Sequence, residues 1–269
     1  MQLKDRTAVV TGAASGIGRA IATSLAQRGC HLALADIDEA GLARTADALA
    51  VHGVRVSRHP LDVGDAAAIA SLPAKVTAVH PGVDVLVNNA GVALGGTFEE
   101  VAEADFEWLF AINFWGTVRM TRAFLPLLHG SAEARIVNLS SLFGIIAPPG
   151  QSAYSASKFA VRGFSGALRN ELVGTRIGVT VVHPGGIATS IAKNARLPKD
   201  LTAEEAAEQR KRFESFLTMP PERAGETIVR GIERRKARIL VGWDAKLLAA
   251  LERLMPVNYW AILRRQAKG

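Results

Sequence analysis

Residues 7–22 read TAVVTGAASGIGRAIA, and this stretch decides the fold. Its first residues, Thr7–Val10, form a short β-branched run typical of a buried strand, and its last residues are typical of a helix. Gly12, Gly16 and Gly18 stand between the two, in the spacing G-x-x-x-G-x-G. Glycines at such a turn let the backbone approach a pyrophosphate, which the helix N-terminus then binds. The stretch predicts a strand, a phosphate-binding loop and a helix, although turns also need glycine for conformational reasons alone.

Asp36 ends the next apolar run, HLALAD, about twenty residues beyond the glycines, which is the distance expected for a ribose-binding acid. A carboxylate at this place can accept hydrogen bonds from both ribose hydroxyls of an adenosine, and it would repel a 2′-phosphate. An ordinary turn residue at a strand end would give the same pattern. Together with the glycine loop, Asp36 favours a site for a dinucleotide without a 2′-phosphate.

Apolar runs alternate with helix-length segments along most of the chain. The runs are rich in Val, Ile and Leu and show little strict alternation, as expected of strands buried on both faces. They are residues 7–10, 31–35, 54–57, 83–87, 135–140, 179–184 and 238–242. Helices are predicted at Ile17–Arg28, Glu39–Val51, Ala66–Val79, Phe106–Leu128 and Ala153–Val173. This order predicts an α/β fold with one doubly wound parallel sheet of about seven strands and helices on both faces.

Composition fits one domain with a large core, because 49% of the 269 residues are apolar and 21% are charged. We expect that domain to span residues 1–242, with a substrate segment at 186–219 and a helical tail at 243–269. The single cysteine, Cys30, excludes an intramolecular disulfide and is expected in the core. The sequence contains neither a run of about twenty apolar residues nor a signal-peptide pattern, so we expect a cytoplasmic protein.

The net charge of +7 raises the question of an anionic partner. The basic residues are spread out and do not alternate with aromatic residues, so we do not expect nucleic acid binding. A local excess lies late in the chain, in RGIERRKARIL and ILRRQAKG. Weak attraction to anionic substrates or to a membrane surface therefore stays open. No set of metal ligands is predicted.

The segment SAYSASKFAVRGF, residues 152–164, places Tyr154 and Lys158 about one helical turn apart on one face. A free Tyr has a pKa of roughly 10 and is a poor base at neutral pH. A nearby ammonium group favours the phenolate and lowers that pKa. The pair is either a tuned acid/base or an ordinary pair on a helix surface, and this segment alone does not decide between them.

Five motifs occur in order along the chain: TGAASGIG, LDV, NNAG, the spacing of Ser141, Tyr154 and Lys158, and HPGG. Jointly they make the chain resemble the short-chain dehydrogenase/reductase family over roughly Lys4 to Gly242. The resemblance implies a Rossmann-type fold and an oxidoreductase that interconverts a secondary alcohol and a ketone with NAD or NADP.

The resemblance also implies a catalytic set of four residues. Tyr154 would donate a proton in reduction and accept one in oxidation. Lys158 would bind the nicotinamide ribose and lower the pKa of Tyr154, with help from the positive nicotinamide ring. Ser141 would stabilise charge on the substrate oxygen, and Asn113 would hold a water that links Lys158 to solvent.

The other implied residues line the cofactor cleft, where Asp62 would contact the adenine amino group and residues 184–189 would close on the nicotinamide carboxamide. Asn88, in the NNAG stretch, would steady the sheet. The cofactor set is Gly12, Ser15, Gly16, Ile17, Gly18, Asp36, Asp62, Val63, Asn89, Ala90, Gly91, Tyr154, Lys158, Pro184, Gly185, Ile187 and Thr189. Many NADP users carry a Lys or Arg where this chain has Ser15, so the resemblance implies NAD rather than NADP.

Three segments would recognise the substrate: Val92–Thr97, Leu142–Gln151 and Gly186–Met219. Apolar residues after Ser141 suggest a small hydrophobic alcohol or ketone, although they are also compatible with plain core. An alternative is a 3-oxoacyl-thioester reductase, whose carrier would be attracted by basic residues at Arg196, Lys199, Arg210, Lys211 and Arg212. Asp36 counts against it, because biosynthetic reductases usually prefer NADPH. A third reading is a non-catalytic dinucleotide sensor, which would have no need of the intact catalytic set.

The tail carries apolar residues at helical spacing, interrupted by Pro256. We expect Leu247, Leu248, Leu251, Leu254 and Met255 to form one stripe that must be covered. The stripe could pack on its own domain and close the substrate pocket, form a subunit interface of a homodimer or homotetramer, or lie on a membrane surface.

Overall fold

A computed structural model of the chain describes residues 1–266, with side chains to residue 264. Seven parallel strands form one sheet in the order β3-β2-β1-β4-β5-β6-β7. The strands are β1 (Thr7–Thr11), β2 (His31–Asp36), β3 (Val56–Pro60), β4 (Val85–Asn88), β5 (Ala134–Leu139), β6 (Ile177–Pro184) and β7 (Arg238–Val241). The predicted α/β sheet of seven strands is confirmed.

Ten α-helices connect or follow the strands in the described part of the chain. They are α1 (Gly16–Ala26), α2 (Glu39–Leu49), α3 (Ala66–Thr77), α4 (Glu103–Phe110), α5 (Thr117–His129), α6 (Ser152–Glu171), α7 (Ala203–Ser215), α8 (Pro221–Glu233), α9 (Trp243–Leu254) and α10 (Tyr259–Gln266). Short 3₁₀ turns lie at Ala50–His52 and Leu142–Gly144. None of the helices within residues 1–266 is long and apolar enough to cross a bilayer.

Two apolar layers hold helices against the sheet. On one face α1, α2 and α8 pack around Ile21, Leu25 and Ile228. On the other face α3, α5 and α6 pack around Phe124 and Leu168. Every residue of β1, β4 and β5 is buried, which explains why their sequences do not alternate between apolar and polar residues.

The order of the strands reverses between β1 and β4. From β1 the chain moves outward to β2 and β3, and it then returns to add β4 to β7 on the other side. Helices on opposite faces therefore diverge at the carboxyl ends of β1 and β4, which leaves a crevice there. Gly12 follows β1 and Asn89 follows β4, so both lie at this crevice.

The helix predicted at Phe106–Leu128 begins earlier and contains a wider turn. It starts at Glu103, passes through a π-helical segment at Ala111–Gly116 and continues to His129. Such a segment inserts an extra residue into the helix and frees backbone groups, often at functional sites. The hydroxyl of Thr117 donates to the Asn113 carbonyl oxygen at 3.0 Å. The apolar pattern predicted the helix but not this irregularity.

The tail packs on β7 and on the turn after Ser141 through α9. Ala245 and Ala249 are buried and Leu248 is half-buried. Leu247 and Leu254, which we expected on the covered stripe, are exposed. These two leucines therefore do not pack on their own domain within the described residues, because the small alanines allow the closest approach of the helix and the alanine face turns inward.

A buried histidine pair predicts how the fold responds to acid. The Ser57 hydroxyl lies 2.7 Å from Nε2 of His59 and 2.8 Å from Nε2 of His80. One hydroxyl can donate to one neutral ring and accept from the other. Burial lowers the pKa of both rings, that of His80 to about 4, and nearby Arg55 and Lys75 add to the effect.

The unfolded chain binds protons at these rings below the ordinary His pKa of about 6.5, whereas the folded chain resists them. We therefore expect stability to fall as the pH drops from about 6.5 towards 4. The measurement is urea unfolding from pH 8 to pH 4. A His80→Gln variant should be less stable at pH 8 but should lose less stability over that range. An equal loss in variant and wild type would contradict the assignment to His80.

Candidate active site

The glycine loop brings the start of α1 close to β1. Gly12 and Gly16 have φ angles of +66° and +53°, which L side chains rarely adopt. A Cβ on Gly18 would collide with the Gly12 carbonyl oxygen. The Ser15 side chain makes no capping bond to the described residues, so its hydroxyl and the first N–H groups of α1 are available to an anion. This is the predicted phosphate site.

A set of hydrogen bonds ties the glycine loop to the NNAG stretch. The Asn89 side-chain amide donates to the carbonyl oxygens of Thr11 and Gly12 at 2.9 and 3.2 Å. The Thr11 hydroxyl accepts from the backbone N–H groups of Asn89 and Ala90, each at 3.0 Å. Asn88 instead points into the sheet and donates to Asn138. These bonds fix the two loops that border the crevice.

Asp36 ends β2 and Asp62 follows β3, so both lie on the β2–β3 side of the crevice. Asp36 accepts from the Ala14 N–H at 2.9 Å and from the Asp38 N–H at 3.0 Å, which orients its carboxylate. Asp62 accepts from the Gly64 N–H at 2.7 Å and is exposed. Both carboxylates retain free lone pairs for a ligand. Val63, next to Asp62, is buried.

The loop after β6 reaches across the crevice to the glycine loop. A Cβ on Gly16 would lie 3.0 Å from a methyl carbon of Thr189, so the two residues face each other. Pro184 ends β6, and the Gly185 N–H donates to Val241 at 2.9 Å. Ile187 is buried and pairs with Met219 in a short bridge. The predicted nicotinamide loop thus closes the cleft opposite the phosphate site.

Asn113 connects the loop after β4 with α6. Its side chain accepts from the Val92 N–H at 2.9 Å and donates to the Val92 carbonyl at 3.0 Å and to Ser157 at 3.2 Å. Its Oδ1 and the Lys158 ammonium both flank Gly91, at 3.0 and 3.3 Å from where a Cβ would stand. Only glycine leaves this space open between the two side chains.

Ser141, Tyr154 and Lys158 converge beside this space. Ser141 accepts from the Phe143 N–H at 3.1 Å, and its hydroxyl is close enough to the Tyr154 phenol to lower the pKa of that phenol. The Lys158 ammonium donates to the Leu139 carbonyl at 3.2 Å and lies 5.7 Å from the Tyr154 ring centre. Tyr154 and Lys158 are both buried, so they are not an ordinary surface pair.

Burial governs the acidity of this pair. It raises the pKa of Tyr154 to about 12, against a smaller lowering by Ser141. It also lowers the pKa of Lys158 to about 8. We expected Lys158 to lower the pKa of Tyr154, but in the protein alone the low-polarity environment outweighs that attraction, because it disfavours both charged forms. The positive ring of an oxidised nicotinamide is the further charge that would favour the phenolate.

Three polar residues at the site escaped the sequence interpretation. His183 is fully buried, and its Nδ1 lies 2.9 Å from the Ser141 carbonyl oxygen. Ser140 donates to the Lys158 carbonyl at 2.8 Å, which holds α6 against β5. Asp244, in the first turn of α9, accepts from the Gly186 N–H at 2.8 Å. The only available signal was position, because His183 directly precedes Pro184 and Asp244 directly follows β7 and a glycine-tryptophan pair.

Apolar side chains pack in one cluster with Tyr154. Phe143, Ile191 and Phe213 pack in one cluster with Tyr154, and the Phe143 ring stands edge-on to it at 6.1 Å. Phe143 also packs against a second apolar cluster that includes Leu142 and Ala249, and Leu248 and Tyr259 of the tail pack against the same cluster. The Tyr259 hydroxyl accepts from the Ala147 N–H at 2.9 Å. The tail therefore supports the outer side of the turn that carries Ser141.

A family model described as short chain dehydrogenase matches residues 6–200. Among the relatives, a protein named oxidoreductase SadH from Mycobacterium tuberculosis is 43% identical over 259 residues, which cover 95% of this chain and 93% of SadH. The similarity therefore extends past the matched model and includes most of the tail.

Solved structures show the same architecture. A short chain dehydrogenase/reductase from Burkholderia phymatum in complex with NAD is 29% identical, with a TM-score of 0.88 over 94% of each chain. An alcohol dehydrogenase from the archaeon Thermococcus sibiricus, complexed with 5-hydroxy-NADP, is 27% identical, with a TM-score of 0.74 over 88% of this chain and 94% of that one. With its glycine loop, NNAG stretch and Ser–Tyr–Lys cluster, this chain belongs to the short-chain dehydrogenase/reductase family of oxidoreductases.

Proposed function

We propose that this protein interconverts a secondary alcohol and a ketone of hydrophobic character, with NAD as the preferred cofactor. The observation that carries the proposal is the grouping of the buried Tyr154 and Lys158 with the half-buried Ser141 beside the crevice. A phenol beside a hydroxyl in an apolar pocket can polarise a carbonyl oxygen and exchange a proton with it.

In this mechanism the bound dinucleotide supplies or accepts the hydride, and the protein handles the proton. Ser141 donates a hydrogen bond to the substrate oxygen and stabilises the charge that develops there. Tyr154 donates its proton to that oxygen in reduction and accepts a proton in oxidation. Lys158 binds the nicotinamide ribose and places a positive charge near Tyr154. Asn113, which lies beside Lys158 at Gly91, positions the water that would exchange the proton with solvent.

The preference for NAD rests on Asp36. Its carboxylate is held by the N–H groups of Ala14 and Asp38, so it cannot easily turn away from a ligand. A 2′-phosphate would bring two negative charges together at this place. Ser15 lies in the loop at a place where a cation would favour NADP, and it supplies none.

The hydrophobic substrate is proposed from Phe143, Ile191 and Phe213, which lie in one cluster with Tyr154. The alternative of an acyl-thioester carrier loses part of its support. Arg196 is engaged by Asp105 at 2.8 Å, and its guanidinium stacks 3.5 Å from the centre of the Trp108 ring. An Arg held in this way is poorly placed to attract a carrier phosphate.

We further propose that the protein is a homodimer or homotetramer and that it is cytoplasmic. The proposed oligomer rests on Trp115 and Phe159, two exposed aromatic residues on the long helical segments beside the site. Gly163 and Gly166, on the same helix as Phe159, have open space where a Cβ would stand and would permit close helix contact. The compartment is a prediction from the sequence.

Replacement of Tyr154 tests the catalytic assignment. Tyr154→Phe removes only the proton donor, so we expect turnover to fall by about 10²–10⁴-fold while NAD binding is retained. Ser155→Ala is the matched control, because it removes a buried hydroxyl without a partner among the described residues. The measurement is nicotinamide absorbance with secondary alcohols and ketones of increasing chain length. Near wild-type turnover by Tyr154→Phe would refute the mechanism.

Replacement of Asp36 tests the cofactor assignment. Asp36→Ala should weaken NAD binding by about tenfold or more, since a charged acceptor of the ribose hydroxyls is lost. It should also improve NADP binding. Asp36→Asn keeps an acceptor for the Ala14 N–H but removes the negative charge, so it distinguishes an effect of charge from an effect on the loop structure. Dissociation constants of both cofactors are measured by tryptophan fluorescence. A wild-type preference for NADP would overturn the assignment.

The raised pKa of Tyr154 predicts different pH profiles for the two directions. Oxidation needs the phenolate, so kcat/KM for the alcohol at saturating NAD should rise with pH from 6. It should level off at the pKa of Tyr154 in the complex, which the charge of the oxidised cofactor places below 12. Reduction needs the phenol and uses the reduced cofactor, which lacks the positive ring, so its rate should stay level over this range and fall only nearer pH 12. Parallel profiles in both directions would contradict Tyr154 as the proton carrier.

A further inference from the structure

The outer face of α9 is apolar and exposed. Trp243, Leu247 and Leu254 are 75%, 56% and 80% exposed, respectively. Spacings of four and seven residues put all three on one face of the helix, together with exposed Ala250. These four residues are called the α9 stripe below. Val257, which follows the helix, is 84% exposed and extends the apolar surface.

The exposure of the stripe does not result from loose packing of α9 on the rest of the protein. The opposite face of α9 is already occupied, since Ala245 and Ala249 are buried and Leu248 packs against the turn after Ser141. Asp244 fixes the start of the helix through its bond to Gly186. The orientation of α9 is therefore determined from the inside, and no described residue covers the stripe. An exposed apolar surface of this kind usually marks an interaction site.

Charge around the stripe indicates the nature of the partner. Residues 234–269 contain nine Lys and Arg against two Asp and Glu, an excess of seven that equals the net charge of the whole chain. Lys246 and Arg253 lie seven residues apart along one flank of the stripe, and both are exposed. The remaining 233 residues are neutral on balance. Lys246 and Arg253 therefore give the described flank of the stripe a positive charge, and a surface complementary to it is anionic.

A second copy of this chain fits these features poorly. A helix of twelve residues is about 18 Å long, so a stripe about 10 Å wide covers roughly 180 Å². A stable protein interface takes about 800 Å² from each partner. A twofold contact through the stripe would also bring the two basic flanks close together, and like charges repel.

We propose that the α9 stripe docks the protein onto the surface of an anionic phospholipid bilayer. Trp243 and the leucines would enter the boundary between head groups and acyl chains, where aromatic and aliphatic side chains are favoured. Lys246 and Arg253 would lie among the anionic head groups. Phe216, exposed beside Gly186 at the same edge of the sheet, would extend the contact. The proposal holds whether or not the proposed reaction is correct.

The test is flotation of the full-length protein with two kinds of vesicle. One is phosphatidylcholine alone, and the other is phosphatidylcholine with about 30% phosphatidylglycerol. We expect the wild type to float with the anionic vesicles and several-fold less with the neutral ones. Leu247→Glu/Leu254→Glu should reduce flotation by about tenfold or more. Val51→Glu/Val173→Glu is the matched control, since it places the same two charges on exposed apolar residues elsewhere. Light scattering reports the particle mass of each variant, and NAD binding reports whether the variant is folded.

Each outcome decides the proposal. Loss of flotation in the stripe variant, with unchanged particle mass and with flotation kept by the control, supports it. Equal loss in the control would show a general charge effect and overturn the assignment to the stripe. A wild type that does not float with anionic vesicles overturns it directly. A fall in particle mass of the stripe variant also overturns it, because the stripe would then be a subunit contact.

Discussion

The contact between the glycine loop and the residues after β4 is the constraint on which the site depends. Gly18 has to be glycine because the Gly12 carbonyl oxygen occupies the place of its Cβ. The Asn89 amide then satisfies the carbonyl oxygens of Thr11 and Gly12 at the same point. Since buried backbone groups need partners, this pairing allows the end of β1 to turn sharply without loss of hydrogen bonds. It leaves the N-terminus of α1 facing the crevice, and every other site residue is arranged around that position.

A second consequence of the fold is the burial of Tyr154 and Lys158, the proposed proton-transfer pair. Tyr154 and Lys158 are held between α6 and the end of β5, where burial raises one pKa and lowers the other. Both shifts favour neutral side chains. The protein alone thus keeps a phenol rather than a phenolate, which is the form that the proposed ketone reduction needs, and charge supplied with an oxidised cofactor would shift the balance towards the phenolate. Local charge can shift this balance strongly because Tyr154 and Lys158 are buried.

Sequence patterns predicted the sheet well because its information is local. Each pattern that was used depends on residues close together in the chain. These patterns are the seven apolar runs, the loop glycines and the Tyr154–Lys158 spacing. His183 and Asp244 could not be found in this way, because each acts on a partner 42 or 58 residues away. The face of α9 that turns inward could not be predicted from the sequence for a related reason. An apolar pattern identifies a helix with an apolar stripe, but the depth available against β7 selects the alanine face, and that depth is a tertiary property.

The inner face of α9 lies close to the turn that carries Ser141. Ala249 shares an apolar cluster with residues of that turn, Phe143 packs against the same cluster, and the Phe143 ring stands edge-on to Tyr154. Tyr259 adds a hydrogen bond to the backbone of the same turn. A helix this close to the site cannot shift without moving a pocket wall, which explains why its start is fixed by Asp244 and its inner side is made of small residues. The bulky apolar residues are consequently displaced to the outer face. The same packing that brings the inner face of α9 against the turn after Ser141 therefore leaves the apolar stripe exposed on the outer face.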